Sequence, residues 1–172
     1  GVLCLKAHCL SDAATKPVRT MTEVTFLPNK ALIYATNKRG LLIFQEPDFP
    51  EVPPQVPGGT IDNGEDPLAA AKREFAEETG ILTPTDMTFL ELDKHPFARN
   101  GQPHQVNRYS YHATVSDDLP ETWDNYETFA HDGADPILFR FSWVDLGNAP
   151  DILGIGMEAA IPTLKERRGA KK

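Results

Sequence analysis

The stretch GTIDNGEDPLAAAKREFAEETGI, Gly59 to Ile81, decides how the rest of the chain reads. Asp66 is an N-cap residue, Pro67 suits the first helical position and Gly80 lets a helix stop, so a helix over 67–79 is predicted. Ile81 can close its C-terminal cap hydrophobically. With Glu74 set at 0° and ~100° per residue, Glu77 falls near 300° and Glu78 near 40°, an acidic arc about 100° wide. Leu68, Ala71 and Phe75 fall between roughly 60° and 120°, an apolar stripe beside that arc. One side of the helix should pack on a sheet while its neighbour presents oxygens.

Like charges at this spacing destabilise a helix by a few tenths of a kcal/mol, and more beside a buried stripe, so a cation is expected to compensate. Hard dications such as Mg²⁺ or Mn²⁺ prefer carboxylate, carbonyl and water oxygens. Arg73 is placed to pair with Glu65 and hold the preceding loop on the helix. Ala70, on the acidic side, would leave room for a hydrated ion. Glu77-Glu78 alone would read as a solvated acidic face; the flanking residues reverse that reading.

Gly59, Glu65, Arg73, Glu74, Glu77, Glu78 and Gly80, with Phe75 and Ile81, resemble a complete Nudix box of 23 residues. The resemblance implies an α/β fold, the Nudix-type α/β/α sandwich with a mixed β-sheet. It implies that Glu74, Glu78 and Glu77 hold Mg²⁺ or Mn²⁺ with the Gly58 carbonyl, while Glu65, Arg73 and Gly59 support the site. It also implies water attack on a pyrophosphate inside a nucleoside diphosphate linked to another group. The general base stays open between Glu77 in the box and Glu127 outside it, so Glu74, Glu77, Glu78 and Glu127 are the candidate catalytic residues.

Working outward, Val24–Phe26, Ala31–Tyr34, Leu41–Phe44, Met87–Leu92, Val106–Val115 and Ile137–Val144 read as strands, with turn formers between them. Ala98–Pro103 reads as the turn between two of them. The proline-rich segment Pro47 to Pro57 forbids a helix. A second, irregular helix is expected from Asp151 to about Arg168. The connection Ser116–Pro136 carries seven acids and no Lys or Arg. It reads either as a lid, with Trp123, Tyr126 and Phe129 stacking a base and Glu127 reaching the metal site, or as a solvated loop with one helical turn.

Substrate signals are sparse. Pro96 lies where ADP-ribose pyrophosphatases of the family often carry a proline, which favours an ADP-ribose-like substrate. Arg39, Arg99, Arg108 and Trp123, with His104, are candidate substrate contacts. The alternatives are a nucleoside triphosphate or dinucleoside polyphosphate pyrophosphohydrolase, or a non-catalytic nucleotide-binding sensor. A sensor would be expected to lack box carboxylates, and all three are present. An isomerase of the same fold needs a cysteine in the folded core, whereas Cys4 and Cys9 lie near the N-terminus.

Composition narrows the setting. The 172 residues, 40% hydrophobic and with formal charge −8, describe one globular domain. That acidity argues against nucleic acid or an anionic membrane as partner, and an RNA-directed activity finds only the basic tail Lys165 to Lys172. Asp62 to Glu78 and Ser116–Pro136 together are more negative than the whole chain, so the remainder is net positive. Two cysteines build neither a disulfide framework nor paired metal knuckles, and neither a signal peptide nor a membrane helix is read. The expected setting is cytoplasmic, with residues 1–20 an N-terminal arm or extension and 21–172 a single Nudix hydrolase domain, and a homodimer admitted beside a monomer.

Overall fold

A computed structural model describes residues 23–82, 84, 86–127 and 135–170. The N-terminal arm with Cys4 and Cys9, Phe129 and Asp132 of the acidic connection, and the last two lysines of the basic tail lie outside the described residues.

The described strands are β1 (Thr25–Phe26), β2 (Lys30–Asn37), β3 (Gly40–Gln45), β4 (Gly58–Thr60), β5 (Thr88–Arg99), β6 (Gln102–Thr114), β7 (Trp123–Glu127) and β8 (Ile137–Val144). They form one sheet in the order β1-β6-β2-β3-β8-β7, with β4 on β2 and β5 on β6. Strand β2 runs parallel to β6, from Lys30 opposite Arg108 to Thr36 opposite Thr114, while its pairings with β3 and β4 are antiparallel. The sheet is therefore mixed.

Helix α1 (Pro67–Thr79) covers one face. Ala31, Ile33 and Ala35 of β2 and Leu42 and Phe44 of β3 meet its Ala70, Ala71 and Phe75. The alternate residues Leu32, Tyr34, Leu41 and Ile43 pack on the opposite face. That face is covered by α2 (Ala149–Ile152), a 3-10 turn (Met157–Ala160) and α3 (Ile161–Gly169). The period of two along β2 and β3 thus supplies both cores, and the domain is an α/β/α sandwich.

Three expectations are corrected. The hairpin is longer than predicted: β5 runs on to Arg99 and β6 starts at Gln102, because Asn100 (φ 50°) and Gly101 (φ 74°) provide the two left-handed residues of a tight turn. Pro96 fits inside β5 because, among the described strands, β5 pairs only with β6 and needs no second row of N–H donors. The acidic connection contains a strand, β7, in place of a helical turn. Its Trp123, Asn125 and Glu127 are half-buried and Asp124 and Tyr126 exposed, so alternation prevails over a spacing of three. The last helix is broken between Ile152 and Met157, where Ile155 (φ 58°) and Gly156 (φ 70°) are both left-handed. Pro162 stands in the first turn of α3, where its missing N–H has no helical partner to lose.

Candidate active site

Helix α1 is anchored at both ends. The Asp66 carboxylate accepts the Ala69 N–H at 3.0 Å, and Gly80 (φ 72°) donates its own N–H to the Ala76 carbonyl at 3.0 Å. The carbonyls of the last turn lack helical donors and take side chains of β7 instead. Trp123 Nε1 donates to Thr79 O at 3.0 Å, and Asn125 Nδ2 donates to Glu78 O at 2.6 Å. Edge strand and helix end are thereby locked together.

Arg73 occupies the middle of the acidic arc. Its Nε and Nη2 bind Glu65 Oε1 and Oε2 at 2.9 and 2.8 Å as a fork, and Nη2 also donates to Thr60 O at 3.0 Å. Its Nη1 reaches Glu74 Oε1 at 2.7 Å and Glu77 Oε2 at 3.3 Å. The Arg73 fork, aided by the Asp62 N–H, pulls the Glu65 carboxyl down to about 2. The loop before the helix is therefore pinned by a charge pair, as the spacing predicted.

Glu74 and Glu78 sit in a different environment. Glu78 is buried, and desolvation holds its carboxyl well above the usual range, against the pull of the Gly58 N–H that donates to Oε2 at 2.8 Å. The charges of Glu74 and Glu127 push in the same direction as burial. Glu74 is likewise raised by burial, with Arg73 opposing. Gly59 leaves room beside it: a Cβ there would lie 2.2 Å from the Glu74 carboxyl carbon and would displace that carboxylate.

Two neighbours went unread in the sequence. Lys30, whose ammonium donates to Thr60 Oγ1 at 2.8 Å, lowers both Glu74 and Glu78 by its charge. Glu46, just beyond β3, is raised by burial and by the charges of Glu127 and Glu51. Glu127 thus acts electrostatically on Glu46 and on Glu78, which brings the end of β7 to the same acidic region as the helix. A pairing register that joins residues far apart in sequence was the missing signal in each case.

Among the described residues no three His, Cys, Asp or Glu side chains close into a ready metal cage. Arg73 draws Glu77 toward itself and stands as one compensating cation on the arc. The Glu74 and Glu78 oxygens nevertheless suit a hard divalent ion, because burial without a full complement of positive charge is what raises both groups. Ala70 does not leave room on this side; it is wholly buried against the sheet.

The substrate candidates are placed elsewhere. Arg108 is 5% exposed and binds Asp93 Oδ2, Ile155 O and Gly156 O, so the expected substrate contact gives way to a structural one. Trp123 stacks on Phe141 with centroids 5.0 Å apart and spends its N–H on Thr79 O, which corrects its reading as a base-stacking lid residue. Arg39 donates to Asp117 O and Leu119 O and so ties the β2–β3 turn to the loop between β6 and β7. Arg99 ends β5 at the hairpin tip, and His104 stacks on Phe97 in the same hairpin.

A mixed sheet thus lies between two helical layers, with a short glycine-bearing strand set against a glutamate-bearing helix. The chain belongs to the Nudix hydrolase family: the NUDIX domain model matches residues 27–161. A curated relative, the RNA pyrophosphohydrolase of Rhizobium meliloti (strain 1021), is 40% identical over 65 residues, which is 38% of this chain and 38% of that protein. The match therefore spans well under half of that relative. Among solved structures, the MutT protein from Bacillus halodurans superposes with a TM-score of 0.58 at 18% identity over 79% of this chain and 80% of that one. The NUDIX domain of Shewanella oneidensis NrtR, complexed with ADP ribose, gives 0.57 at 17% identity over 90% and 94%. At these identities the likeness is one of fold.

Proposed function

We propose that the chain is a divalent-metal-dependent pyrophosphohydrolase that cleaves the pyrophosphate link of a nucleoside diphosphate joined to another group. The observation that carries this reading is the pair Glu74 and Glu78, desolvated on α1 and set against Gly59 and the Gly58 N–H. Nudix hydrolases generally use a divalent metal, and Mg²⁺ or Mn²⁺ suits these oxygens. Glu74, Glu78 and Glu77, with the Gly58 carbonyl, would hold it. When bound, the ion supplies charge neutralisation at the phosphate oxygens and a more acidic attacking water.

The chain's own groups divide the remaining work. Glu65 and Arg73 keep the loop closed on the helix, and Arg73 shares its charge with Glu74 and Glu77. Glu127 is the base in this reading, because its charge is felt at Glu78 while Glu77 is engaged by Arg73. An acidic cleft repels a pyrophosphate, so catalysis depends on the added cation. An ADP-ribose-like molecule is the preferred substrate, on the strength of Pro96 and of the ligand held by the NrtR domain, in a cytoplasmic setting without nucleic acid or membrane as partner.

The test is a hydrolysis screen with Mg²⁺ or Mn²⁺ over ADP-ribose, nucleotide sugars, dinucleoside polyphosphates, nucleoside triphosphates and 5′-triphosphorylated RNA, with product analysis. Metal-dependent release of a nucleoside monophosphate from ADP-ribose is the expected result. Preference for the RNA end would move the substrate toward the matched relative's, and no cleavage of any anhydride would overturn the reading.

A further inference from the structure

On the face opposite α1, the break in the last helix forms a turn from Leu153 to Met157 in an uncommon backbone state. Ile155 is β-branched and has φ 58°, followed by Gly156 at φ 70°. A β-branched residue in that region persists only where its surroundings impose it. The imposing group is Arg108, whose Nη1 and Nη2 donate to Ile155 O at 2.6 Å and Gly156 O at 2.9 Å while Asp93 holds the guanidinium. Tyr34 adds a bond from its hydroxyl to Met157 O at 2.8 Å.

The other side of this turn grips the proline-rich segment that leads to the Nudix box. Gly154 N–H donates to Pro54 O at 3.1 Å, and the Val56 N–H is directed at Met157 Sδ at 3.4 Å. Contact is so close that a Cβ on Gly154 would lie 2.2 Å from Pro53 Cγ. Immediately downstream, Pro57 O accepts the Ile33 N–H at 2.8 Å, and Gly58 N–H meets Glu78. Val56 is packed in the core of the α3 face, whereas Gly58 serves α1, so three consecutive residues carry position from one face to the other.

We propose that Arg108 is a positioning residue for the active site: by holding the Ile155–Gly156 turn it sets Pro53 to Val56, and through them the placement of Gly58 and Gly59 against Glu78 and Glu74. This rests on the reading of Glu74 and Glu78 as the working carboxylates, but the coupling can be measured without substrate or metal. Gly154→Ala pushes on Pro53 directly and lies outside the catalytic groups. Its expected effect is amide hydrogen exchange at Gly58 about tenfold faster, with β8 amides unchanged. In the same protein kcat falls about tenfold or more at a temperature well below Tm, with KM little changed. Arg108→Lys keeps a charge for Asp93 but lacks the planar fork that reaches both carbonyls, and shows the same pattern. Ile155→Gly relaxes the backbone, raises Tm and leaves kcat unchanged.

Wild-type Gly58 exchange in a folded Gly154→Ala or Arg108→Lys protein overturns the proposal. So does faster exchange spread evenly over Gly58 and β8, which would make the turn a support of global stability alone. Faster exchange confined to Gly58, in a protein whose wild type hydrolyses no anhydride, retains the coupling and removes the hydrolase reading.

Discussion

Two arginines organise the two faces of the sheet in different ways. Arg73 binds mainly carboxylates close in sequence, with Glu65 eight residues away and Glu74 and Glu77 on its own helix, and a single carbonyl, Thr60 O. Arg108 binds one carboxylate and two main-chain carbonyls, the latter 47 and 48 residues further on. Arg73 distributes positive charge over an acidic arc, whereas Arg108 fixes the path of a backbone. The Arg73 guanidinium tunes the titration of its carboxylates while it pins the entry loop, whereas that of Arg108 acts on the backbone through two carbonyls.

The largest expected effect tests the acidic side. Glu78→Gln should lower turnover by about two to three orders of magnitude with the fold intact, because it removes a carboxylate that would hold the divalent ion at the reacting phosphate. The metal-free variant should also be more stable than wild type at neutral pH. Burial raises Glu78 in the folded state, so its stability contribution is fully present below the unfolded value and is lost as pH rises through the raised folded value. Equal turnover, or a Tm in EDTA below wild type, breaks the assignment of Glu78 as a desolvated working charge.

On the other face, Arg108→Met should cost about 3 kcal/mol in urea unfolding, at the lower end for a broken buried pair because Asp93 keeps some solvent. A loss below about 0.5 kcal/mol, the size of an ordinary surface change, would erase the contrast between the two arginines. The smallest effect is expected from Glu65→Gln. Its wild-type carboxyl is pulled down to about 2, so the pair's contribution is fully present above the unfolded value of roughly 4.3 and disappears as pH falls toward 2. Acid unfolding followed by circular dichroism should show that decline in wild type and lack it in the variant. Glu65 and Glu78 thus carry pH dependences of opposite sign within one box.

What the sequence disclosed follows the range of the contacts. Asp66, Pro67, Gly80 and the Glu65–Arg73 fork lie within one helix and its entry loop, so spacing alone placed them. The apolar runs Ala31–Tyr34 and Leu41–Phe44 were legible as strands, whereas the division of their side chains between two cores is seen only in the fold. Arg108 read as a candidate substrate contact because Asp93 and the Ile155 carbonyl meet it through the β5–β6 register and the chain return. Trp123 and Asn125 were hidden for the same reason: their partners on α1 lie 44 and 47 residues back. Lys30 and Glu46 required knowledge of which strand ends converge on the helix.

The parallel pairing of β2 with β6 joins partners nearly half the chain apart, whereas β5 and β6 share a two-residue turn. Loop closure makes the first contact entropically costly and the second cheap, and such long-range pairing slows folding. Arg108 is one of the residues in that distant register, opposite Lys30 beside the box strand. The zipper of the hairpin can close locally, but the two ends of the site acquire a common frame of reference only once β2 has docked alongside β6.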